Sequence, residues 1–321
     1  MRAALRRVIQ LVVVLLFVSL FTFALMSMVP GDPVFAIIGG GFATRRQLAQ
    51  IRHQLHFDQP FFHQYWTWLS GFAHGNFGNV YYGPSSTGKV STLIGQALPV
   101  SLQLMAYAMI LTIVIAIPLG VLAAYKSGSY LDKAINLTAF GAISMPDFAL
   151  ALVLSYWVGV KLHWLPASQY VHPTDNPISH FQHMILPAIS LADGQIAAYM
   201  RLLRSDMINT LQEDFILMAK AKGISNRRIL WRHALRPSSL TLLTVVGLNV
   251  GALIGGTVVV EIIFQIPGMG TLLFLAISQR QFVEIQSIVA IIAIGYVIIN
   301  VLIDVLYTTL DPRLRRARAI A

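Results

Sequence analysis

The chain reads as an all-α integral membrane protein with six transmembrane helices, and three observations predict this. First, 56% of its 321 residues are hydrophobic and only 11% are charged, too apolar a balance for an ordinary soluble protein. Second, the apolar residues fall in long runs nearly free of formal charge, long enough for helices to cross a bilayer. Third, the basic residues of this +10 chain collect between particular runs, as the positive-inside rule requires, and do not form one basic surface. That placement argues against a nucleic-acid partner and for membrane lipid. The chain has no Cys, which excludes disulfides and thiolate metal sites.

The first span is Val8 to Val29, behind Arg2, Arg6 and Arg7. It exceeds the roughly 7–15 residues of a signal-peptide core and is expected to stay as an anchor. Residues 1–30 thus form an N-terminal membrane helix, and 31–98 an extracytoplasmic subdomain with helices near 44–55 and 60–72. Its aromatic residues, Tyr65, Trp66 and Trp68, are expected in a small core or an interfacial belt. The membrane core, 99–310, holds further spans at 99–124, 134–160, 183–204, 238–260 and 287–310. The third span is interrupted at Ser144-Met145-Pro146-Asp147, and the stretch 261–286 is expected to form a short re-entrant or surface helix. Residues 311–321 make a basic tail. With both termini inside, the inner segments carry three, two, eight and four Lys or Arg residues, 17 of the chain's 23.

Between the fourth and fifth spans lies a polar, basic stretch, 211–237. Leu211, Phe215, Met218 and Lys222 stand at helical spacing, Glu213 and Asp214 suit a helix start, and Lys220 and Lys222 suit its end. Gly223 is placed to stop that helix in a left-handed cap, and Ser225 or Asn226 to cap a second short helix ending before Pro237. Two short helices rooted in membrane on both sides make a solid knob with a surface to offer another protein.

Catalytic patterns are not visible: the chain contains no nucleophile elbow, no zincin motif and no phosphate-binding glycine loop. His163, His172, His180 and His183 share one loop, but their spacing fits no metal-ligand pattern, and interfacial roles are expected. Within the spans Asp147, Asp193 and Asp304 are the ionisable candidates, and each needs a reason to be there. Asp193 stands deepest, without an evident partner in sequence, and is expected to face a wet cavity or another chain. The fifth span carries Gly247, Gly251 and Gly255 at four-residue steps around Asn249, a strip suited to close helix packing beside a pore.

The hairpin resembles the cytoplasmic "EAA" loop of ATP-binding-cassette importer permeases, in the dipeptide, oligopeptide and nickel branch. The resemblance rests on Ala219-Lys220-Ala221-Lys222-Gly223 and His233-Ala234-Leu235-Arg236. Leu217 and Met218 replace a Glu and an Ala of the general pattern, and Pro237 replaces an Asn. The likeness extends along the chain through Pro30-Gly31-Asp32-Pro33, Leu98-Pro99, Ser144-Met145-Pro146-Asp147-Phe148, Ile185-Leu186-Pro187-Ala188, Pro267-Gly268-Met269-Gly270 and Asp311-Pro312-Arg313. Arg280-Gln281-Phe282 departs from the branch's usual Arg-Asp-Tyr.

What this resemblance implies is a B-type subunit of a type I importer: one peripheral helix and a five-helix core, paired as a heterodimer with a second homologous permease. Two cytoplasmic ATPase subunits carrying ATP and Mg, and an external solute-binding protein, would complete the assembly in a prokaryotic inner membrane. This chain is then expected to have no enzyme activity and to bind no cofactor or metal itself. The resemblance places Phe215, Ala219, Ala221, Lys222, Gly223, Ile224, Arg227 and Arg228 against the ATPase. Its substrate class is di- or oligopeptides, with nickel chelates, glutathione or another small solute as alternatives. An ion-coupled secondary transporter and a membrane scaffold are the readings from other classes; paired midplane charges within an inverted repeat would mark the former.

Overall fold

Backbone groups in hydrocarbon must be satisfied within their own segment, so apolar runs of this length fold as helices. The computed structural model describes residues 2–28, 34, 46, 49, 52–53, 58–81 and 87–310, except the side chains of 2–11, 87, 252 and 303–310. The Pro30–Pro33 motif, the tail 311–321 and most of the helix expected at 44–55 lie outside the described residues, as does the side chain of Asp304.

The elements in order are α1 (Arg2–Ser27), α2 (Phe61–Ala73), β1 (Asn79–Tyr81), β2 (Thr87–Lys89), α3 (Val90–Tyr125), α4 (Tyr130–Ser144) and α5 (Asp147–Leu154). Then come α6 (Pro177–Leu211), α7 (Asp214–Ala221), α8 (Asn226–Arg228), α9 (Leu235–Phe264), α10 (Met269–Ser278) and α11 (Phe282–Leu310). Wider π-turns extend α5 over Ser155–Lys161 and join α8 to α9 over Ile229–Ala234. By length and composition, Val90–Tyr125 and Phe282–Leu302 can each cross a membrane. Two bent pairs bring the number to as many as four: Tyr130–Ser144 with Asp147–Lys161, and Asn226–Gly251 with Leu253–Phe264. The helix α6 contains the stretch expected as the fourth span but carries more polar residues. At 10 residues, α10 is too short to cross. The stretch expected as one surface element, 261–286, is divided among the end of α9, α10 and the start of α11.

Helix ends follow their local chemistry. Ser129 caps α4 by accepting the Asp132 amide, and Asn176 caps α6 by accepting that of Ser179 at 3.1 Å. Pro146, fixed in extended backbone, starts α5, and the chain turns through 97° between α4 and α5.

The described chain divides into two compact units, Met1–Ser101 with Pro267–Ile298, and Leu102–Ile266 with Ile299–Ala321. The first gathers Val80, Val90, Ile94, Met269, Ala276, Ile285 and Ile288 into one apolar core. The antiparallel pair β1–β2 is fastened there by the buried Gln281, whose amide donates to the Tyr81 carbonyl at 2.8 Å and accepts from the Tyr81 amide. Ser287 donates to Phe77 O at 2.8 Å, and Ser101 accepts the Met269 amide at 2.7 Å. The second unit is built on α6, which packs against α4, α5 and α9. Its core runs through Ala123, Ala139, Tyr199, Leu203, Met207, Ile216, Ile229 and Ala234.

Candidate functional site

The hairpin begins where α6 ends at Leu211. Glu213 opens α7 with extended backbone, and its carbonyl accepts the Ile216 amide at 2.9 Å. Gly223 adopts φ +71°, its amide donating to Lys220 O at 2.9 Å, while the Ile224 amide donates to Ala219 O at 3.2 Å. This is the left-handed stop the sequence predicts, at a conformation glycine adopts without steric cost. Ser225 stands at the start of α8 but makes no side-chain cap; its carbonyl accepts the Ile229 amide at 3.0 Å, and Asn226 reaches the Tyr125 hydroxyl instead.

The two faces of the hairpin have different jobs. Ile216, Ala219, Ile229 and Ala234 are buried in the core of the second unit, with Ile224 packed against them. Ala219 and Ile224 therefore depart from their expected place on the docking face: their side chains root the knob in its own protein. Phe215, Ala221, Lys222, Gly223, Arg227 and Arg228 are exposed. Sequence reasoning missed the apolar residues that join them there, Leu217 at 54% exposure, Met218 at 58% and Trp231 at 47%. The signal was present, since α7, Asp-Phe-Ile-Leu-Met-Ala-Lys-Ala, is apolar on both faces, and an eight-residue helix needs only one to anchor itself. Beside it Arg227, Arg228 and Arg232, with Ser225 and Trp231, line an open cleft of about 420 Å³. The hairpin thus presents a small apolar platform with a cationic edge on a rigid base.

Deeper in the second unit, the turn at Pro146 carries Asp147 back towards α6 and α9. Its carboxylate oxygens lie 3.8 Å and 3.6 Å from where a Cβ would stand on Gly194 and Gly256, and Asp193 is within electrostatic reach. Asp193 has no evident partner in sequence; within the chain, Asp147 comes within its electrostatic reach beside Gly194 and Gly256. Tyr199 donates to Gln195 Oε1 at 3.1 Å and also bonds Asn249, a polar seam between α6 and α9. Of the expected glycine strip, Gly247 is buried, Gly251 half-buried and Gly255 exposed, where a notional Cβ would meet open space among the described residues. A Cβ built on Gly256, the next residue, would stand only 3.3 Å from Leu191 Cδ2. Among the histidines, His180 is fully buried, its Nδ1 donating to Val171 O at 2.7 Å and its Nε2 accepting from the Tyr107 hydroxyl at 3.1 Å. Both ring nitrogens are occupied in packing.

The family model described as binding-protein-dependent transport system inner membrane component matches residues 116–316. The model for the N-terminal part of such components matches residues 1–86. Similar proteins include a probable peptide ABC transporter permease of Sinorhizobium fredii, 37% identical over 314 residues, covering 97% of this chain and 98% of its own. A putative peptide transport system permease of Brucella abortus is 38% identical over 311 residues, with 97% and 98% covered. The oligopeptide transport system permease AppB of Bacillus subtilis is 34% identical over 311 residues, with 96% and 98% covered. The hairpin and the polar seam both fall inside the larger matched region. Helical membrane architecture, a rooted knob between two helices and full-length similarity agree: the chain belongs to the family of binding-protein-dependent transport system inner membrane components.

Proposed function

We propose that the chain is one permease subunit of an ATP-driven, binding-protein-dependent importer of di- or oligopeptides. The peptide substrate is supported by the names of relatives similar over nearly the full length. In this reading six spans, with both termini cytoplasmic and 31–98 outside, form half of a pore with a second, homologous permease. Two cytoplasmic ATPases supply ATP and Mg, an external binding protein delivers the peptide, and the chain itself hydrolyses nothing.

The observation that carries the proposal is the two-faced hairpin. Ile216 and Ala219 fix α7 to the membrane core, while Phe215, Leu217, Met218 and Trp231 remain uncovered on the other side. A motion applied to that outer face is delivered directly to α6 and α9. The groove on the ATPase takes the apolar platform and the bare backbone at Gly223, and Arg227 and Arg228 lie at its rim. Among the described residues, chain neighbours aside, nothing lies within 4 Å of a Cβ built on Gly223, which leaves room there for a partner surface.

The test uses the assembled complex with substrate-loaded binding protein. Gly223→Val forces a β-branched residue into a left-handed conformation that costs about 1–2 kcal/mol even for ordinary residues, and it also fills the docking face. It should abolish stimulated ATP hydrolysis or co-purification of the ATPase. Arg228→Ala, a rim contact worth about 0–1 kcal/mol, should do much less. Intact coupling in Gly223→Val with loss in Arg228→Ala would show docking to be electrostatic.

A further inference from the structure

The aromatic helix α2 raises a question that the transport reading leaves alone: what covers its outer edge. Its 13 residues, Phe-Phe-His-Gln-Tyr-Trp-Thr-Trp-Leu-Ser-Gly-Phe-Ala, contain no Asp, Glu, Lys or Arg. One face is packed within the first unit. Tyr65 is buried, its hydroxyl 2.9 Å from Ser19 Oγ, and Phe23 meets both Phe61 and Tyr65 edge-on. Trp68 donates to Ser287 Oγ at 3.3 Å. On the other face Phe62 and Trp66, one turn apart, are 75% and 67% exposed. The hydroxyls nearby are already used, Thr67 donating to His63 O at 2.9 Å and Ser70 to Thr67 O at 3.0 Å. Their donors are spent inside the helix, as a surface without water requires.

Depth comes from the helices to which α2 is clipped. Phe23 and Ser19 precede Val29, the end of the first apolar run, by six and ten residues, roughly 9 and 15 Å of helix. Ser287 opens the last apolar run, 287–310, so Trp68 meets it at the membrane edge. A helix lying free in water above the bilayer could not reach these partners. The helix α1, to which α2 is clipped, has exposed aromatic residues of its own: Phe17 and Phe21 stack with centroids 6.1 Å apart.

We propose that α2 is an interfacial membrane helix, with Phe62 and Trp66 seated at the headgroup–acyl boundary of the bilayer. Trp is enriched at this level because its ring is apolar while its N–H can stay wet. The choice of the outer leaflet rests on the topology proposed above, and the seating on the first and last apolar runs crossing the bilayer.

Because the chain has no Cys, single-cysteine variants Phe62→Cys, Trp66→Cys and, as a water-facing control in the loop after α3, Ser127→Cys can carry a nitroxide. The complex is placed in nanodiscs of phosphatidylethanolamine and phosphatidylglycerol. At positions 62 and 66 collisions with oxygen should exceed those with a water-soluble nickel chelate several-fold, and at 127 the order should reverse. Nickel accessibility at 66 equal to that at 127 would make α2 part of an aqueous subdomain. Protection from both reagents that appears only when the second permease or the binding protein is present would assign the edge to a protein partner. Either result ends the lipid reading. Labels at two positions guard against a local distortion at one, and side-independent collision rates keep the result separate from any failure of the proposed orientation.

Discussion

At the residue scale the strongest polar tie in the second unit is Asp132 with Arg204. Arg204 donates from Nε at 2.6 Å and from a terminal nitrogen at 2.7 Å, a two-pronged pair between α4 and α6. Asp132 is 3% exposed and also accepts the Gly128 amide at 2.9 Å and the Asn136 side chain at 2.8 Å. Removing the carboxylate leaves the guanidinium without its partner, so Asp132→Ala should destabilise by about 3 kcal/mol, the low end for broken buried pairs because Arg204 keeps some solvent. Thermal unfolding of the purified complex checks this. Asp132→Ala with Arg204→Ala together should cost clearly less than the two losses added, and simple additivity would mean that the pair is not coupled. None of this was legible beforehand. The partners stand 72 residues apart, and counting assigned Arg204 only to an inner, positive segment.

At the element scale the sequence was legible where a rule is local. The Ser144–Asp147 break, the Gly223 stop and the helix near 60–72 depend on residues next to one another, and they stand where expected. Direction was not legible: Pro146 announces a break, but only packing decides that the chain swings 97° and brings Asp147 beside Asp193. The three glycines of the expected strip do not share one environment within this chain, for a geometric reason. Four residues advance a helix by about 400°, so each step of four drifts some 40°, and Gly247, Gly251 and Gly255 pass from buried to exposed. Gly256 falls on the inner face instead, against Leu191 and Asp147. Gly256→Leu should therefore lower the thermal stability of the chain itself by about 1–3 kcal/mol through overpacking. Gly255→Leu, pointing into open space within this chain, should leave that stability unchanged while reducing recovery of the second permease. Equal damage from both variants in the isolated chain would place Gly255 in the same packed interior.

At the scale of the whole molecule, orientation is a question of charge, because moving a short basic loop across the membrane is what topology avoids. The stretch Arg201 to Arg236 carries eight Lys or Arg residues, the largest inner group under the proposed topology. Arg227, Arg228 and Arg232 line one open cleft there, so solvent must reach them on whichever side they lie. Ser225 shares that cleft and is exposed, as is Lys89 on β2 in the segment proposed to lie outside. The chain lacks Cys, so one introduced thiol is the only one it offers. In intact cells an impermeant maleimide should modify Lys89→Cys and leave Ser225→Cys untouched until the membrane is opened. In inside-out vesicles the order should reverse. Lys89→Cys removes one of few external cations, so it should strengthen the charge bias and not disturb it, and a second external site can replace it if expression falls. Labelling of Ser225→Cys from outside intact cells would place the hairpin on the wrong side for a cytoplasmic ATPase, and both the topology and the coupling role of Phe215, Leu217 and Met218 would fall together.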